Sequence, residues 1–115
     1  MLKLKKVTEE DIDVRVECLE EDSSPFDHFD DKDLAKKIRD DYFNGNDWAW
    51  CTVKVIVTHK QADFVSIQYL GGCSYLNEED FKADNLPTMV DEAIQDIESQ
   101  MEEMFAFLCS KVQTD

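Results

Sequence analysis

Basic residues are scarce in this chain of 115 residues. Twelve Lys and Arg stand against 27 Asp and Glu, which gives a formal net charge of −15 and a pI near 4.3. Nucleic-acid binding needs a basic face that neutralises phosphates, and docking on an anionic membrane surface also needs clustered Lys and Arg. The composition therefore argues against direct binding to nucleic acid and against binding to a membrane.

Motifs of known enzyme classes are also missing. The chain has three glycines and two histidines, with no phosphate-binding glycine loop, no G-x-S-x-G and no H-E-x-x-H. His28 lies in an acidic segment, 26–31, that could bind a divalent ion, but its spacing matches no metal loop, which favours a solvated loop. His59 falls in a predicted hairpin turn. We expect no metal, no cofactor and no enzymatic activity, because no nucleophile–base pair can be named.

The cysteines lack the C-x-x-C spacing that structural zinc sites normally contain. The first residues do not have the pattern of a secretory leader, and no apolar run approaches the roughly 18 residues of a membrane span. We therefore expect free thiols and a cytoplasmic location. Cys73 could be a reactive thiol in a glycine turn, yet no basic group lies near it in sequence to lower its pKa. The four cysteines are Cys18, Cys51, Cys73 and Cys109.

Hydrophobic periodicity predicts a single domain over residues 1–115. Alternation with period two predicts strands, and apolar residues recurring every three or four positions predict helices. The predicted elements are a strand at 11–19, a helix at 32–44, strands at 48–58 and 63–70, a short helix around Phe81 and a long helix at 87–111. Gly71 and Gly72 are expected to end the third strand, and residues 1–6 to form a basic arm or short edge strand. This order predicts an α+β fold, an antiparallel sheet of about three strands packed by helices.

The negative charge gathers on one arc of the predicted long helix. On a helical wheel the apolar residues fill an arc of about 120° and the carboxylates lie opposite. Two like-charge pairs are spaced at i, i+4, which slightly destabilises a helix. The acidic arc comprises Asp91, Glu92, Asp96, Glu98, Glu102 and Glu103. We predict that this arc binds a basic protein surface such as a nucleic-acid-binding groove. The alternative is that the acidity only keeps the protein dispersed.

The predicted strand at 48–58 has a second apolar face. Trp48, Trp50 and Ile56 alternate with the face formed by Cys51 and the valines. If the valine face packs on the helices, the tryptophan face lies on the other side of the sheet. It then predicts a homodimer or partner interface, where Trp is enriched. The alternative is that the N-terminal arm or the first helix covers it.

Three sequence segments resemble a known group of proteins. They are 48–55 (WAWCTVKV), 69–75 (YLGGCSY) and 79–83 (EDFKA). Over roughly residues 47–95 the chain resembles small uncharacterised proteins encoded by tailed phages and prophages. The resemblance implies the cytoplasm of an infected host and an accessory role during infection. By analogy, phage accessory proteins of this size and acidity include inhibitors of restriction and CRISPR machinery.

Overall fold

A three-stranded antiparallel sheet forms the centre of the computed structural model, which describes residues 6–112. The predicted α+β fold class is confirmed; the predicted arm lies outside the described residues except for Lys6. Two short 3₁₀ turns, Glu9–Asp11 and Asp47–Ala49, precede the first and second strands. The strands are β1 (Ile12–Leu19), β2 (Cys51–His59) and β3 (Val65–Cys73), and the helices are α1 (Pro25–His28), α2 (Lys32–Phe43) and α3 (Glu78–Val112).

The core lies between the inner face of the sheet and α3. β2 is the central strand, and Cys51, Val53, Val55 and Val57 are buried on its inner face, as the period-two pattern predicts. The α3 residues that pack against this face follow the helical period, because side chains three and four residues apart lie on one side of a helix. They are Phe81, Met89, Val90, Ala93 and Ile97.

The two helices predicted after residue 77 are one continuous helix. α3 runs for 35 residues, about 52 Å at 1.5 Å per residue, and contains Pro87 in its interior. A proline normally breaks a helix because it leaves the carbonyl four residues earlier without a donor. Here Pro87 and Ala83 both lie on the exposed side, where water can bind that carbonyl. The prediction of a separate short helix was therefore wrong.

The third strand does not end at the glycine pair. β3 continues to Cys73, and its register against β2 shifts between Val53 and Cys51. Such a bulge inserts an extra residue into one strand and commonly uses a glycine with positive φ. Gly72 supplies it, with φ of 64°. The glycines thus bend the strand rather than terminate it.

The last turns of α3 extend past the end of the sheet. Gln100 Nε2 donates to the carbonyl of Val65 at the hairpin end of β3, at 3.0 Å. Beyond that point Met101 still packs against the core, whereas Met104 and Leu108 are about half-exposed. The molecule consequently measures 67 × 26 × 18 Å along its principal axes.

Candidate functional site

The acidic arc predicted from the sequence lies on the solvent side of α3. Five of its six residues are exposed, and Glu98 is half-buried. At 100° per residue the carboxylates form two parallel rows along the helix. One row comprises Asp91, Glu98 and Glu102; the other comprises Glu92, Asp96 and Glu103.

Each row has one member tied to a neighbouring element. Glu98 Oε2 accepts a hydrogen bond from the backbone N–H of Val7 at 3.1 Å, which holds the N-terminal segment against α3. Asp96 Oδ2 accepts from Gln100 Nε2 at 3.2 Å, beside the edge of β3. Within residues 6–110, whose side chains the structure describes, none of the six carboxylates forms a salt bridge. Glu98 and Asp96 therefore have structural contacts, and the other four carboxylates face solvent.

The predicted tryptophan interface is wrong for both tryptophans. Asn46 accepts from the N–H of Trp48 and caps a 3₁₀ turn, so β2 begins only at Cys51. Trp48 packs against Phe81 in the core, with ring centroids 5.7 Å apart. Trp50 is only 5% exposed and lies under the loop that leads into α1. Ile56 lies half-buried on the outer face of the sheet.

The loop between β1 and α1 covers Trp50 through several polar and aromatic contacts. Trp50 Nε1 donates to the carbonyl of Ser23 at 2.8 Å, and the rings of His28 and Phe29 lie 5.3 and 6.1 Å from the indole. Ser24 caps α1 by accepting from Phe26 N. The segment predicted as a solvated acidic loop is thus partly helical and packs on the sheet.

A single carboxylate, that of Glu21, connects this loop to two strands. Its Oε1 accepts from Gly72 N at 2.6 Å and from Thr52 Oγ1 at 3.0 Å. Its Oε2 accepts from Ser23 N at 3.0 Å and from Ser23 Oγ at 2.8 Å. Hydrogen bonds to the charged form, first from Ser23 and then from Gly72, lower the pKa of Glu21 to about 2. Sequence reasoning missed this site because Thr52 and Gly72 are distant in sequence.

Ser23 and His28 lie within hydrogen-bond distance of each other. Ser23 Oγ is 2.8 Å from His28 Nε2, a pairing of nucleophile and base types that the sequence pattern did not reveal. A hydroxyl has one proton, and Ser23 donates it to Glu21. His28 Nε2 must therefore donate to Ser23 Oγ, so the imidazole is not placed to remove the serine proton. The hydrogen bonds from His28 to Ser23 and from Ser23 to Glu21 form a chain that holds the loop in place.

The thiols of the two buried cysteines, Cys51 and Cys73, carry high pKa values. Burial raises the pKa of Cys73 to about 11 and raises the pKa of Cys51 further. Both cysteines are buried, Cys18 and Cys109 are half-buried, and none of the four forms a disulfide. Because the thiolate is the nucleophilic form, the local chemistry does not activate Cys73. Among the side chains that the structure describes, no group of three or more His, Cys, Asp or Glu is arranged to hold a metal ion.

Two open clefts flank α2. One, of about 350 Å³, lies between α2 and the segment after β3, with Phe29, Ile38 and Tyr75 in its wall. The other, of about 340 Å³, lies beside Glu21 and is lined by Arg39 and Tyr42. Both are open to solvent, unlike the enclosed pockets that surround small-molecule ligands.

The comparisons with known proteins add no relative. The chain matches no protein-family model, and searches of curated proteins and of solved structures found no match. Within the described residues, no helix combines the length and the apolar character that crossing a membrane requires.

Proposed function

We propose that the chain is a non-enzymatic interaction protein that binds a basic surface of another protein through the acidic arc of α3. The observation that carries this proposal is the set of carboxylates without salt-bridge partners among the described residues. Like charges at Glu92/Asp96 and Glu98/Glu102 cost the isolated helix a few tenths of a kcal/mol per pair. A cationic partner removes that repulsion.

The average axial spacing of the carboxylates is similar to the charge repeat of a nucleic acid. From Asp91 to Glu103 the helix rises about 18 Å, so the six charges, which lie on two rows, are about 3.6 Å apart on average, with single steps of about 1.5 to 6 Å. One strand of duplex DNA carries a phosphate about every 3.4 Å. The partner surface is therefore best sought among nucleic-acid-binding grooves, with charge steering speeding the encounter.

The resemblance of residues 47–95 to proteins of tailed phages and prophages narrows the proposal further. In that setting the protein acts in the host cytoplasm and blocks a nucleic-acid-binding protein of the restriction or CRISPR type. The high pKa of Cys73 and the donor role of His28 toward Ser23 favour a binding role over thiol or serine chemistry. The competing explanation is that the acidity serves solubility alone.

A charge-reversal pair of variants tests the proposal. In the first variant Asp91, Glu92 and Glu103 are replaced by Lys; all three are exposed. In the matched control Glu20, Asp22 and Asp30, which are exposed in the loop region, are replaced by Lys. Both variants change the net charge equally, so a pure solubility effect treats them alike.

The measurement is binding to a basic nucleic-acid-binding protein captured from host lysate and then purified, with a short DNA duplex as competitor. We expect the α3 variant to lose binding by a factor of a hundred or so and the control to retain it, with wild-type binding weakened by salt and by the duplex. Equal binding by wild type and the α3 variant, or equal loss in both variants, would contradict the proposal.

A further inference from the structure

The backbone of β3 presents hydrogen-bonding groups along the open edge of the sheet. Among residues 6–112, β3 is an edge strand, because the strand order is β1-β2-β3. His59 N donates to Phe64 O at 2.9 Å, and the pairing alternates along the hairpin, so the even-numbered residues at 66–70 bond to β2. The N–H and C=O groups of Val65, Ile67 and Tyr69 therefore point away from the sheet.

One of these outward groups already has a partner. Gln100 Nε2 donates to the carbonyl of Val65, which independently confirms that this residue points outward. At the other end, the bulge at Gly72 bends the strand. The open stretch is the middle of β3, where the backbone groups of Ile67 and Tyr69 face solvent.

The middle of the edge formed by β3 lacks the charged residues that usually protect an edge strand against pairing. Natural edge strands commonly carry charged residues, above all Lys, which prevent another strand from adding to the sheet. Residues 64–77 contain no Asp, Glu, Lys or Arg, although the chain as a whole has a net charge of −15. Ile67 is 48% exposed and Tyr69 is 61% exposed on the outer face, and both residue types favour strands.

We propose that β3 pairs antiparallel with β3 of a second copy of this chain, about a twofold axis at Gln68. Ile67 then lies opposite Tyr69 of the second copy, and the outward backbone groups of these two residues bond to each other. A β-branched residue facing an aromatic one across two strands is a favourable pair. The contact is isologous and closes, giving a dimer with a continuous six-stranded sheet.

Charge selects a second copy as the occupant of this edge. The carboxylates nearest to β3 lie at its two ends, where Glu21 accepts from Gly72 N and Asp96 shares Gln100 with Val65. A basic partner finds none in the middle of the strand and binds the acidic arc of α3 instead. Two copies repel each other over most of their surface, including Asp96 and Glu21 near the two ends of the pairing, whereas the central residues 66–70 carry no charge and meet without opposing charges. The outer face of β1, with Asp13, Arg15 and Glu17, offers no such run.

Pairing about this axis also brings two exposed apolar regions toward each other, the end of α3 in one copy and the segment after β3 in the other. In the pairing, Val65 lies opposite Gly71 of the second copy, so the last turns of α3 from one copy extend toward the segment after β3 in the other. Met104 and Leu108 lie about 6 and 12 Å past Gln100 along the helix axis. Leu76, which is 77% exposed, lies in the segment that they approach.

The expected affinity follows from the contact area. Two strands of nine residues bury less than the roughly 800 Å² per partner of a standard interface, and the helix ends add a modest contact. We therefore expect a dissociation constant in the micromolar range. Salt should strengthen the dimer, because it screens the repulsion between two acidic copies. Binding of a basic partner responds to salt in the opposite direction.

Sedimentation equilibrium over a range of protein and salt concentrations tests the dimer. Ile67→Lys places a charge at the centre of the pairing, and we expect it to weaken the dimer at least about tenfold. Leu19→Lys is the matched control, since it adds the same charge to an exposed apolar position on β1. It should leave the dimer unchanged. Circular dichroism and thermal melting establish that both variants are folded.

Cross-linking tests the register. Gln68 of both copies meets at the axis in a pair without hydrogen bonds, where the Cα atoms are about 4.5 Å apart and a disulfide can form. Gln68→Cys should yield a covalent dimer under mild oxidation. Leu70→Cys is the control. In the proposed register the two cysteines at position 70 are separated by four residues along the strands, which is too far for a disulfide.

Three outcomes overturn the proposal. The first is a wild-type chain that remains monomeric at every protein and salt concentration. The second is a dimer that Ile67→Lys leaves intact. If Leu108→Glu abolishes that dimer, the interface lies on α3 alone. The third is covalent dimer formation by Leu70→Cys but not by Gln68→Cys.

Discussion

The two outer strands of the sheet differ on both of their faces. β1 carries Asp13, Arg15 and Glu17 on its outer face, and on its inner face Val14 remains 41% exposed. β3 carries exposed apolar residues on its outer face, while its inner face lies under α3, where Ser66 is buried. β1 thus has a charged outer face and a partly exposed inner face, whereas β3 has an apolar outer face and a covered inner face.

This difference gives the two edges of the sheet different roles in the proposed dimer. The charged outer face of β1 discourages other strands, whereas the uncharged edge of β3 accepts them. α3 packs on β2 and β3, which leaves the inner face of β1 with lighter cover. Stability should therefore depend on the β2–β3 side, and association should depend on the β3 edge.

The largest expected effect separates the two sides by stability. Ile97 is fully buried on α3, and Ile97→Ala should lower the free energy of unfolding by about 3 kcal/mol through lost burial and a residual cavity. Val14→Ala on β1 should cost about 0.5 kcal/mol, because Val14 is already 41% exposed and so loses less buried apolar area. Urea denaturation followed by circular dichroism measures both. Equal losses would remove the proposed asymmetry.

A smaller effect concerns the residue that links the two outer strands. Glu21 follows β1 and binds Thr52 of β2 and Gly72 of β3 through the same oxygen. Glu21→Ala should cost about 2 kcal/mol, since charge-assisted hydrogen bonds contribute more than neutral ones and this one is partly exposed. Asp22→Ala, at the exposed neighbouring position, should change stability by less than about 0.5 kcal/mol in the same denaturation experiment.

Over most of the acid range, a change of pH should alter the stabilising contribution of Glu21 by less than these substitutions do. The pKa of Glu21 is about 2 in the folded protein and about 4.5 ordinarily, so its stabilising contribution is complete above pH 4.5. It is lost as the pH falls from 4.5 toward 2. The difference in urea midpoint between wild type and Glu21→Gln should therefore shrink over this interval. A difference that stays constant to pH 2 would show that the carboxylate charge is not what binds Gly72.

Local patterns predicted much of the fold. The alternation around Val14 and Val55 identified β1 and β2, and the helical period identified the arc that contains Asp91 and Glu103. These features depend on the fixed geometry of strands and helices, so sequence spacing is enough to derive them.

The errors came from positions where tertiary contacts decide the structure. Pro87 suggested a helix start, yet its exposed position allows the helix to pass through it. Trp48 and Trp50 continued the alternation of β2, but the Asn46 cap places Trp48 in a 3₁₀ turn. The role of Glu21 depends on partners 31 and 51 residues away, which no local pattern reveals.

The projecting end of α3 sets how the molecule behaves in a scattering or gel-filtration experiment. Its radius of gyration is 19.2 Å, whereas a compact chain of this length has a value near 13 Å. The same scaling assigns 19.2 Å to a compact protein of about 300 residues. A single copy should therefore elute at the position of a compact oligomer, and only a measurement of mass can distinguish its shape from its stoichiometry.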